Sequence, residues 1–273
     1  MRALDFNNKW VLVTGASSGL GYEMAQQLAH QHHANLIIAA RRADKLHQLK
    51  ADLERDANVQ VKVIVADLSV PEDVERLISG CLNGQELYAA VLNAGITHFG
   101  PHAELSQHAF ELLVQTNVIS VVRLTGELVK HFEQTRSEGG IMIVSSMAGI
   151  FPVPYQAAYS GTKSFLIGFA NALAHEIQSR VLSLTIFAPG GIVTEMTATE
   201  QFNDLQGWLM PVRQAAKEGI YALKTRKFNY VPGAINRVGN VFMKLLPKKM
   251  IISILAKTYQ RSLSKVNTKG KIQ

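Results

Sequence analysis

The sequence has very little cysteine: Cys81 is the only one in 273 residues. An internal disulfide and a cysteine-rich zinc site are therefore excluded, and a reducing compartment such as the cytoplasm is the expected location. We find no run of about 18 apolar residues, the length that a membrane span needs, and no apolar core of a signal peptide near Met1. Internal repeats and low-complexity segments are also missing. The composition, 47% hydrophobic and 18% charged, is that of a folded globular protein.

Acidic residues are missing from the C-terminal fifth of the chain. Residues 219–273 contain twelve Lys or Arg and no Asp or Glu, whereas the preceding 218 residues contain 16 basic and 21 acidic residues. The net charge of +7 therefore belongs to this region. Two helices are predicted in it, at 234–246 and 248–264, on either side of Pro247.

The basic helices have two interpretations that the sequence leaves open. A cationic amphipathic helix can lie on an anionic bilayer, which would make the protein peripherally membrane-associated. It can also pack as a flap on its own domain or on a partner subunit, with its basic face in solvent. Nucleic acid is not an expected partner, because neither a recognised fold nor an aromatic stacking platform accompanies the charges.

A glycine-rich turn joins the first predicted strand, 10–14, to a helix at 22–32. Backbone N–H groups in such a turn can meet a pyrophosphate at the helix N-terminus. A tight loop without a ligand is the alternative. The residues predicted to cradle the cofactor are Gly15, Ser17, Ser18, Gly19, Leu20 and Gly21.

Two arginines follow the second predicted strand, 35–39. A site that prefers NAD usually has a carboxylate there, on the ribose 2′-hydroxyl, but this chain has Ala40, Arg41 and Arg42. Because a guanidinium pairs with a 2′-phosphate, we predict NADP(H) as the cofactor. The alternative is that both arginines are solvated residues at the start of a helix. Asp44 belongs to the first turn of that helix, where a carboxylate suits the dipole.

Strands and helices alternate through the rest of the chain, which predicts an α/β fold. The pattern is that of a doubly wound, Rossmann-like parallel sheet with helices on both faces. We expect one dinucleotide-binding and catalytic domain at 1–233 and a C-terminal helical extension at 234–273. Ligands in such folds bind beyond the carboxyl ends of the strands. Further strands are predicted at 59–65, 88–92, 141–144 and 182–188, and helices at 71–82, 107–133 and 156–178.

Tyr159 and Lys163 are four residues apart, so they lie on one face of the last of these helices. An ammonium close to a phenol favours the phenolate and can lower the phenol pKa by about 1 to 3 units. The pair is therefore a candidate proton donor or acceptor near neutral pH. A surface pair without a catalytic role has the same spacing.

Several separate motifs resemble those of the short-chain dehydrogenase/reductase family. The resemblance covers about residues 6–233, and Ser146 precedes Tyr159 by the thirteen residues typical of the family. It implies an NAD(P)-dependent oxidoreductase on a one-domain Rossmann-like fold. The motifs are Thr14-Gly15-x-x-x-Gly19-x-Gly21, Asp67-Leu68, Asn93-Ala94-Gly95, Asn117, Ser146, Tyr159-x-x-x-Lys163 and Pro189-Gly190.

The resemblance also implies roles for the catalytic residues. Tyr159 would give its proton to the alkoxide that forms when a carbonyl receives hydride. Lys163 would lower the Tyr159 pKa and hold the nicotinamide ribose, and Ser146 would hydrogen-bond the substrate oxygen. Asn117 would hold a water that links Lys163 to solvent.

The family also implies further cofactor contacts and an assembly. Subunits of the family commonly pair through the helices predicted here at 107–133 and 156–178, so we expect a homodimer or homotetramer. Asp67 and Leu68 would meet the adenine, and Asn93, Ala94 and Gly95 its ribose. At the nicotinamide end and the phosphates, the implied contacts are Pro189, Gly190, Ile192 and Thr194.

Substrate choice is expected in two stretches, 147–155 and 195–210. Their apolar side chains predict a hydrophobic or acyl-type carbonyl substrate or its alcohol, although core packing of a helical lid would need the same residues. In addition to Ser146 and Tyr159, the predicted substrate contacts are Phe151, Tyr155 and Met196.

Other polar residues are expected to lie outside the catalytic chemistry, and two other functions stay open. No metal is expected at His30, His32 and His33, because they lack a carboxylate or cysteine partner. Ser145 is expected to be structural, since it points to the opposite face of its strand from Ser146. The alternative functions are a non-catalytic NADP(H)-binding regulator and a peripheral membrane protein on the same scaffold.

Overall fold

The computed structural model describes residues 2–84, 86–195 and 209–269. Its centre is a seven-stranded sheet in which every strand runs parallel to its neighbours, in the order β3-β2-β1-β4-β5-β6-β7. Most of its strands are continuous apolar runs, as expected for strands that are covered on both faces. The strands are β1 (Trp10–Thr14), β2 (Asn35–Ala40), β3 (Val61–Val65), β4 (Leu87–Leu92), β5 (Gly139–Val144), β6 (Leu182–Phe187) and β7 (Asn229–Tyr230).

Helices cover both faces of this sheet and create two apolar layers. One layer holds Met24 and Leu28 from the first helix, and the other holds Leu124, Leu128 and Phe132. The predicted doubly wound fold is confirmed. The helices are α1 (Gly19–His32), α2 (Ala43–Asp56), α3 (Pro71–Leu82), α4 (Gln107–Val114), α5 (Ser120–Thr135), α6 (Met147–Ile150), α7 (Ala157–Glu176), α8 (Val212–Lys224), α9 (Ala234–Leu245) and α10 (Lys248–Lys269).

The helix predicted at 107–133 is interrupted. One wide π-helical segment, Gln115–Ile119, separates α4 from α5. By length and composition Gln107–Thr135 would suit a membrane span, but half of its most apolar window is buried inside the protein. Because α5 packs against the sheet, we interpret the stretch as a core helix.

Two elements near the end of the sheet were not predicted. Helix α8 buries small residues such as Ala215, Ala216 and Gly219, and packs on α1. Strand β7 has only two residues, Asn229 and Tyr230, which is too short for any hydrophobic period. The predicted helix 234–246 is α9, whereas α10 continues past the predicted end at 264 to Lys269.

Candidate active site

A cavity of about 910 Å³ lies beyond the carboxyl ends of the strands, and most of the predicted site residues line it. Its size suits a dinucleotide together with a small substrate. The predicted residues in its wall are Gly15, Ser17, Ser18, Gly19, Leu20, Arg41, Arg42, Asp67, Leu68, Asn93, Ala94, Gly95, Ser146, Phe151, Tyr159, Lys163, Pro189, Gly190, Ile192 and Thr194.

Of the predicted residues that the structure describes, three are not in this wall. Gly21 lies under the glycine turn, where a Cβ atom would approach Asn93 Nδ2 to 2.6 Å. Asn117 lies behind the wall, fully buried. Tyr155 has a left-handed backbone with φ of 66°, and its carbonyl accepts a hydrogen bond from the Gly100 N–H. Its substrate contact stays a prediction. Met196 lies outside the described residues.

The glycine turn is locked to the end of β4 through Thr14. The Thr14 hydroxyl accepts hydrogen bonds from the N–H groups of Asn93 and Ala94, both at 3.0 Å, and Asn93 Nδ2 donates to the Thr14 carbonyl. Gly15 has φ of +70°, and a Cβ atom there would lie 3.0 Å from the Ala94 Cα. Only glycine fits this position.

The N-terminus of α1 opens onto the cavity directly after this turn. Ser18 caps the helix without a side-chain hydrogen bond, and the first turn of α1 has no acidic residue. The helix dipole is thus left to attract an external anion. The glycine cradle, this helix end and the cavity fit the pyrophosphate of a dinucleotide.

Arg41 and Arg42 lie at the end of the cavity that such a cofactor's adenosine would occupy. Arg41 is largely exposed, and its Nη1 is 3.8 Å from Asp67 Oδ2. Arg42 donates to the Ser17 hydroxyl and to the Ser17 carbonyl, each at 3.2 Å, and pairs with Glu195 at 3.1 Å. Arg41 is thus the more loosely held of the two guanidiniums, whereas Arg42 braces the glycine turn.

Tyr159 and Lys163 share one face of α7 and both line the cavity, as their spacing predicts. The Lys163 ammonium is 5.8 Å from the centre of the Tyr159 ring and donates to the Val144 carbonyl at 3.0 Å. Lys163 is only 4% exposed, which is rare for a lysine. Burial of its ammonium costs free energy unless the charge is paired or hydrogen-bonded.

Burial dominates the ionisation of both groups. It lowers the pKa of Lys163 to about 8. It also raises the pKa of Tyr159, while a hydrogen bond with Ser146 acts in the opposite direction. The pKa of Tyr159 is thus raised and not lowered as expected from Lys163. Burial destabilises the phenolate by removing its hydration, and the neighbouring groups stabilise it by less. A protonated Tyr159 is therefore the resting state, and it is the form that donates a proton.

Ser145 and Ser146 follow β5 and have different partners. The Ser146 hydroxyl accepts from the Ala148 N–H at 3.1 Å and lies 3.4 Å from the Pro189 carbonyl, at the cavity wall. Ser145 donates to the Lys163 carbonyl at 2.8 Å and so fixes α7 to the sheet. This contact agrees with the structural role expected for Ser145.

Asn117 sits in the π-helical segment. Its amide exchanges two hydrogen bonds of 2.8 Å with the backbone of Ile96 and donates to Thr162. A Cβ atom on Gly95 would lie 3.2 Å from Asn117 Oδ1 and 3.4 Å from Lys163 Nζ. The missing Cβ atom of Gly95 therefore leaves space beside both the amide and the ammonium. The water relay through Asn117 stays a prediction.

The C-terminal helices supply residues of the cavity wall that sequence reasoning missed. Those of α9 are Ile235, Asn236, Gly239 and Met243, and those of α10 are Leu255 and Tyr259. The Tyr259 ring contacts Phe99, with 5.6 Å between ring centres. Burial raises the pKa of Tyr259, and this residue contributes to the raised pKa of Tyr159. No local motif marks these positions, because they depend on how α9 and α10 fold back over the site.

The sequence profile described as short chain dehydrogenase matches residues 9–204 of this chain, which is well over half of it. The chain belongs to the short-chain dehydrogenase family. Solved structures agree on the fold. A short-chain dehydrogenase from Sphingobium yanoikuyae in complex with NADPH superposes with a TM-score of 0.77 at 23% identity, over 88% of this chain and 96% of that one. A family member from Burkholderia phymatum in complex with NAD gives 0.78 at 19% identity, over 89% and 96%.

Curated relatives of the family are also similar in sequence. A dehydrogenase/reductase SDR family protein 7-like of Dictyostelium discoideum is 30% identical over 89% of this chain and 80% of its own length. A very-long-chain 3-oxoacyl-CoA reductase of Anas platyrhynchos is 30% identical over 91% and 79%. The 17-beta-hydroxysteroid dehydrogenase type 3 of Mus musculus is 31% identical over 69% of this chain, and the match spans 62% of that protein.

Proposed function

We propose that this member of the family is an NADP(H)-dependent oxidoreductase that interconverts a carbonyl and a secondary alcohol on a hydrophobic or acyl-type substrate. The proposal depends mainly on one observation: a buried Tyr159–Lys163 pair and Ser146 share a cavity with a glycine cradle at a helix N-terminus. Family membership supports carbonyl–alcohol oxidoreductase chemistry, and the cofactor and substrate preferences are our inference.

NADP(H) would be held by the glycine turn and the α1 N-terminus at its phosphates and by Lys163 at the nicotinamide ribose. When bound, it supplies or accepts the hydride. Arg41 would pair with the 2′-phosphate, because its present partner, Asp67, is 3.8 Å away and is easily displaced. Relatives in fold bind either NADPH or NAD, so this preference is inferred from the arginines alone.

The proton chemistry belongs to Tyr159, Ser146 and Lys163. Tyr159, protonated at rest, donates its proton to the substrate oxygen as negative charge develops there. Ser146, which already hydrogen-bonds Tyr159, stabilises the same oxygen. The Lys163 ammonium stabilises the resulting phenolate until a proton returns from solvent. In alcohol oxidation the same transfers run in reverse.

The substrate end of the cavity has apolar walls. Phe151 and Val153 line it from the loop between α6 and α7, Leu209 from the loop before α8, and Met243 and Leu255 from the C-terminal helices. These walls favour a hydrophobic carbonyl compound. The activities for which two relatives are named, on very-long-chain 3-oxoacyl-CoA and on 17-beta-hydroxysteroids, concern substrates of the same apolar character.

The test is NADPH oxidation over a panel of apolar ketones and 3-oxoacyl thioesters, with the Tyr159→Phe variant in parallel. We expect turnover with at least one apolar substrate. The variant should lose about 10²- to 10⁴-fold in kcat, since it lacks the transferable proton, while still binding NADPH. Tyr221→Phe on α8, half exposed and remote, is the matched control and should retain activity. An NADPH-binding protein without turnover on any substrate would favour the regulator instead.

Assembly and location are parts of the same proposal. We expect a homodimer or homotetramer, in keeping with the family, in which α4, α5 and α7 form the contact. We also propose that the protein is located in the cytoplasm, where it can associate peripherally with a membrane.

A further inference from the structure

Helix α9 has two different faces. Asn236, Gly239 and Met243 face the cavity, and Ile235, at the edge between the two faces, also touches the cavity wall. The other face, which we call the outer face, consists of Ile235, Val238, Val241, Phe242 and Leu245. Their exposed fractions run from 57% to 85%, and no residue of α9 is buried.

The outer face is a continuous apolar stripe. Its members are separated by three, three, one and three residues, so they fall along one side of a helix. Soluble monomers rarely expose contiguous apolar patches of this kind unless the patch binds something. Helix α9 is also held in a fixed position, because Glu218 on α8 accepts hydrogen bonds from Gly233 N–H at 2.9 Å and from Arg237 at 2.7 Å. These contacts therefore keep the apolar stripe on the solvent-exposed side of the helix.

The charge around the outer face selects its partner. Lys244, Lys248 and Lys249 are exposed beside it, within a region of twelve basic and no acidic residues. A partner must therefore be both apolar and anionic. A second copy of the chain is disfavoured, because a symmetric contact would bring the same lysines together. An anionic bilayer satisfies both requirements, with acyl chains for the stripe and headgroups for the lysines.

We propose that the outer face of α9 lies on an anionic membrane surface, so that the substrate cavity opens directly beneath the lipid interface. One side of a single helix would contact lipid while its other side forms the cavity wall. An apolar substrate would then reach Tyr159 from the bilayer without crossing water. This last step rests on the proposed function, whereas membrane binding does not.

The test is flotation of the full chain with vesicles of phosphatidylcholine alone or mixed with phosphatidylserine. We expect binding only to vesicles with phosphatidylserine, weakening as salt is raised. Phe242→Glu should abolish it. Lys248→Gln and Lys249→Gln should each lower the partition coefficient about fivefold. Because these side chains are exposed, unchanged melting temperatures are expected and will exclude misfolding.

Matched controls lie at the opposite edge of the sheet. Lys45→Gln on α2 changes net charge equally, and Val70→Glu before α3 changes an exposed apolar residue equally. Both should bind vesicles as the unmodified chain does. Equal flotation with both vesicle types, or flotation unaffected by Phe242→Glu, would overturn the proposal. It would also fail if Phe242→Glu changed only the oligomeric mass in light scattering. Vesicle binding without turnover would contradict the proposed function and leave this inference standing.

Discussion

Lys163 has the most informative ionisable side chain of the site. Its burial lowers the pKa to about 8, so its charge is lost just above neutral pH. Tyr159 keeps its proton in that range because burial raises its pKa. The two groups therefore lose their protons in separate pH ranges, and a fall in activity near pH 8 would identify the lysine.

We expect kcat/KM for carbonyl reduction to decline as pH rises through about 8, because the ammonium that stabilises the phenolate is lost. A single deprotonation gives about a tenfold decline per pH unit beyond that point. Lys163→Arg, which keeps its charge, should move the decline to higher pH. The measurement is a pH profile of kcat/KM for both proteins. A profile flat up to pH 10 in the unmodified enzyme would contradict this role.

In the proposed function, cofactor choice depends on Arg41. A charged hydrogen bond to a 2′-phosphate contributes about 1.5 to 3 kcal/mol, which corresponds to about 10- to 150-fold. Arg41→Ala should weaken NADPH binding by up to this factor and leave NADH unchanged. Dissociation constants at low and moderate salt would measure it, with Arg213→Ala on α8 as the control. Equal losses for both cofactors would mean that Arg41 only supports the fold.

At the residue scale, the motifs predicted residues that the fold brings into one cavity, because chemistry restricts residue type and spacing there. The glycine turn, Asn93, Ser146, Tyr159 and Lys163 are such cases, and all line the cavity. The direction of the Tyr159 pKa could not be predicted, because it depends on burial by distant parts of the chain.

Helix α7 has a catalytic side and an exposed side. Phe165 is 50% exposed and stacks on Phe169, with 6.2 Å between ring centres. This aromatic pair lies on the helix that the family commonly uses for pairing subunits. Burial of the pair in a subunit contact would also steady the helix that carries Tyr159.

Phe165→Glu should therefore convert the expected dimer or tetramer to smaller species. A carboxylate would be buried without a partner in the contact, at a cost of several kcal/mol. Light scattering at micromolar concentration measures the mass, and Val70→Glu serves again as the matched control. A monomeric unmodified protein would contradict the predicted assembly.

At the element scale, buried strands and amphipathic helices were predictable because their periods are local. Helix α8 was missed because it packs through small residues, and β7 because it is short. The π-helical turn at Asn117 could not be read from the sequence, since it depends on hydrogen bonds to Ile96 in a different segment.

For the whole molecule, the cavity joins distant parts of the chain. Its wall combines the glycine turn after β1 with Tyr159 on α7 and Tyr259 on α10. The predicted boundary between 1–233 and 234–273 lies where the family resemblance ends and the two basic helices begin, and it stays a prediction. The cavity nevertheless draws on both regions, because packing places α9 and α10 over a site that charge and periodicity alone do not reveal.

A cofactor held by so many elements should stabilise the folded chain by mass action. At 100 times its dissociation constant, NADPH should add about 2.7 kcal/mol to the free energy of unfolding. For domains of similar size this corresponds to a rise of about 5 to 10 °C in the melting temperature. NADH at the same concentration should give a smaller shift, because it lacks the 2′-phosphate with which Arg41 would pair. Arg41→Ala should reduce the NADPH shift to that of NADH, as measured by thermal unfolding with each cofactor. A larger shift with NADH in the unmodified protein would overturn the NADP(H) assignment, since only the 2′-phosphate distinguishes the two ligands.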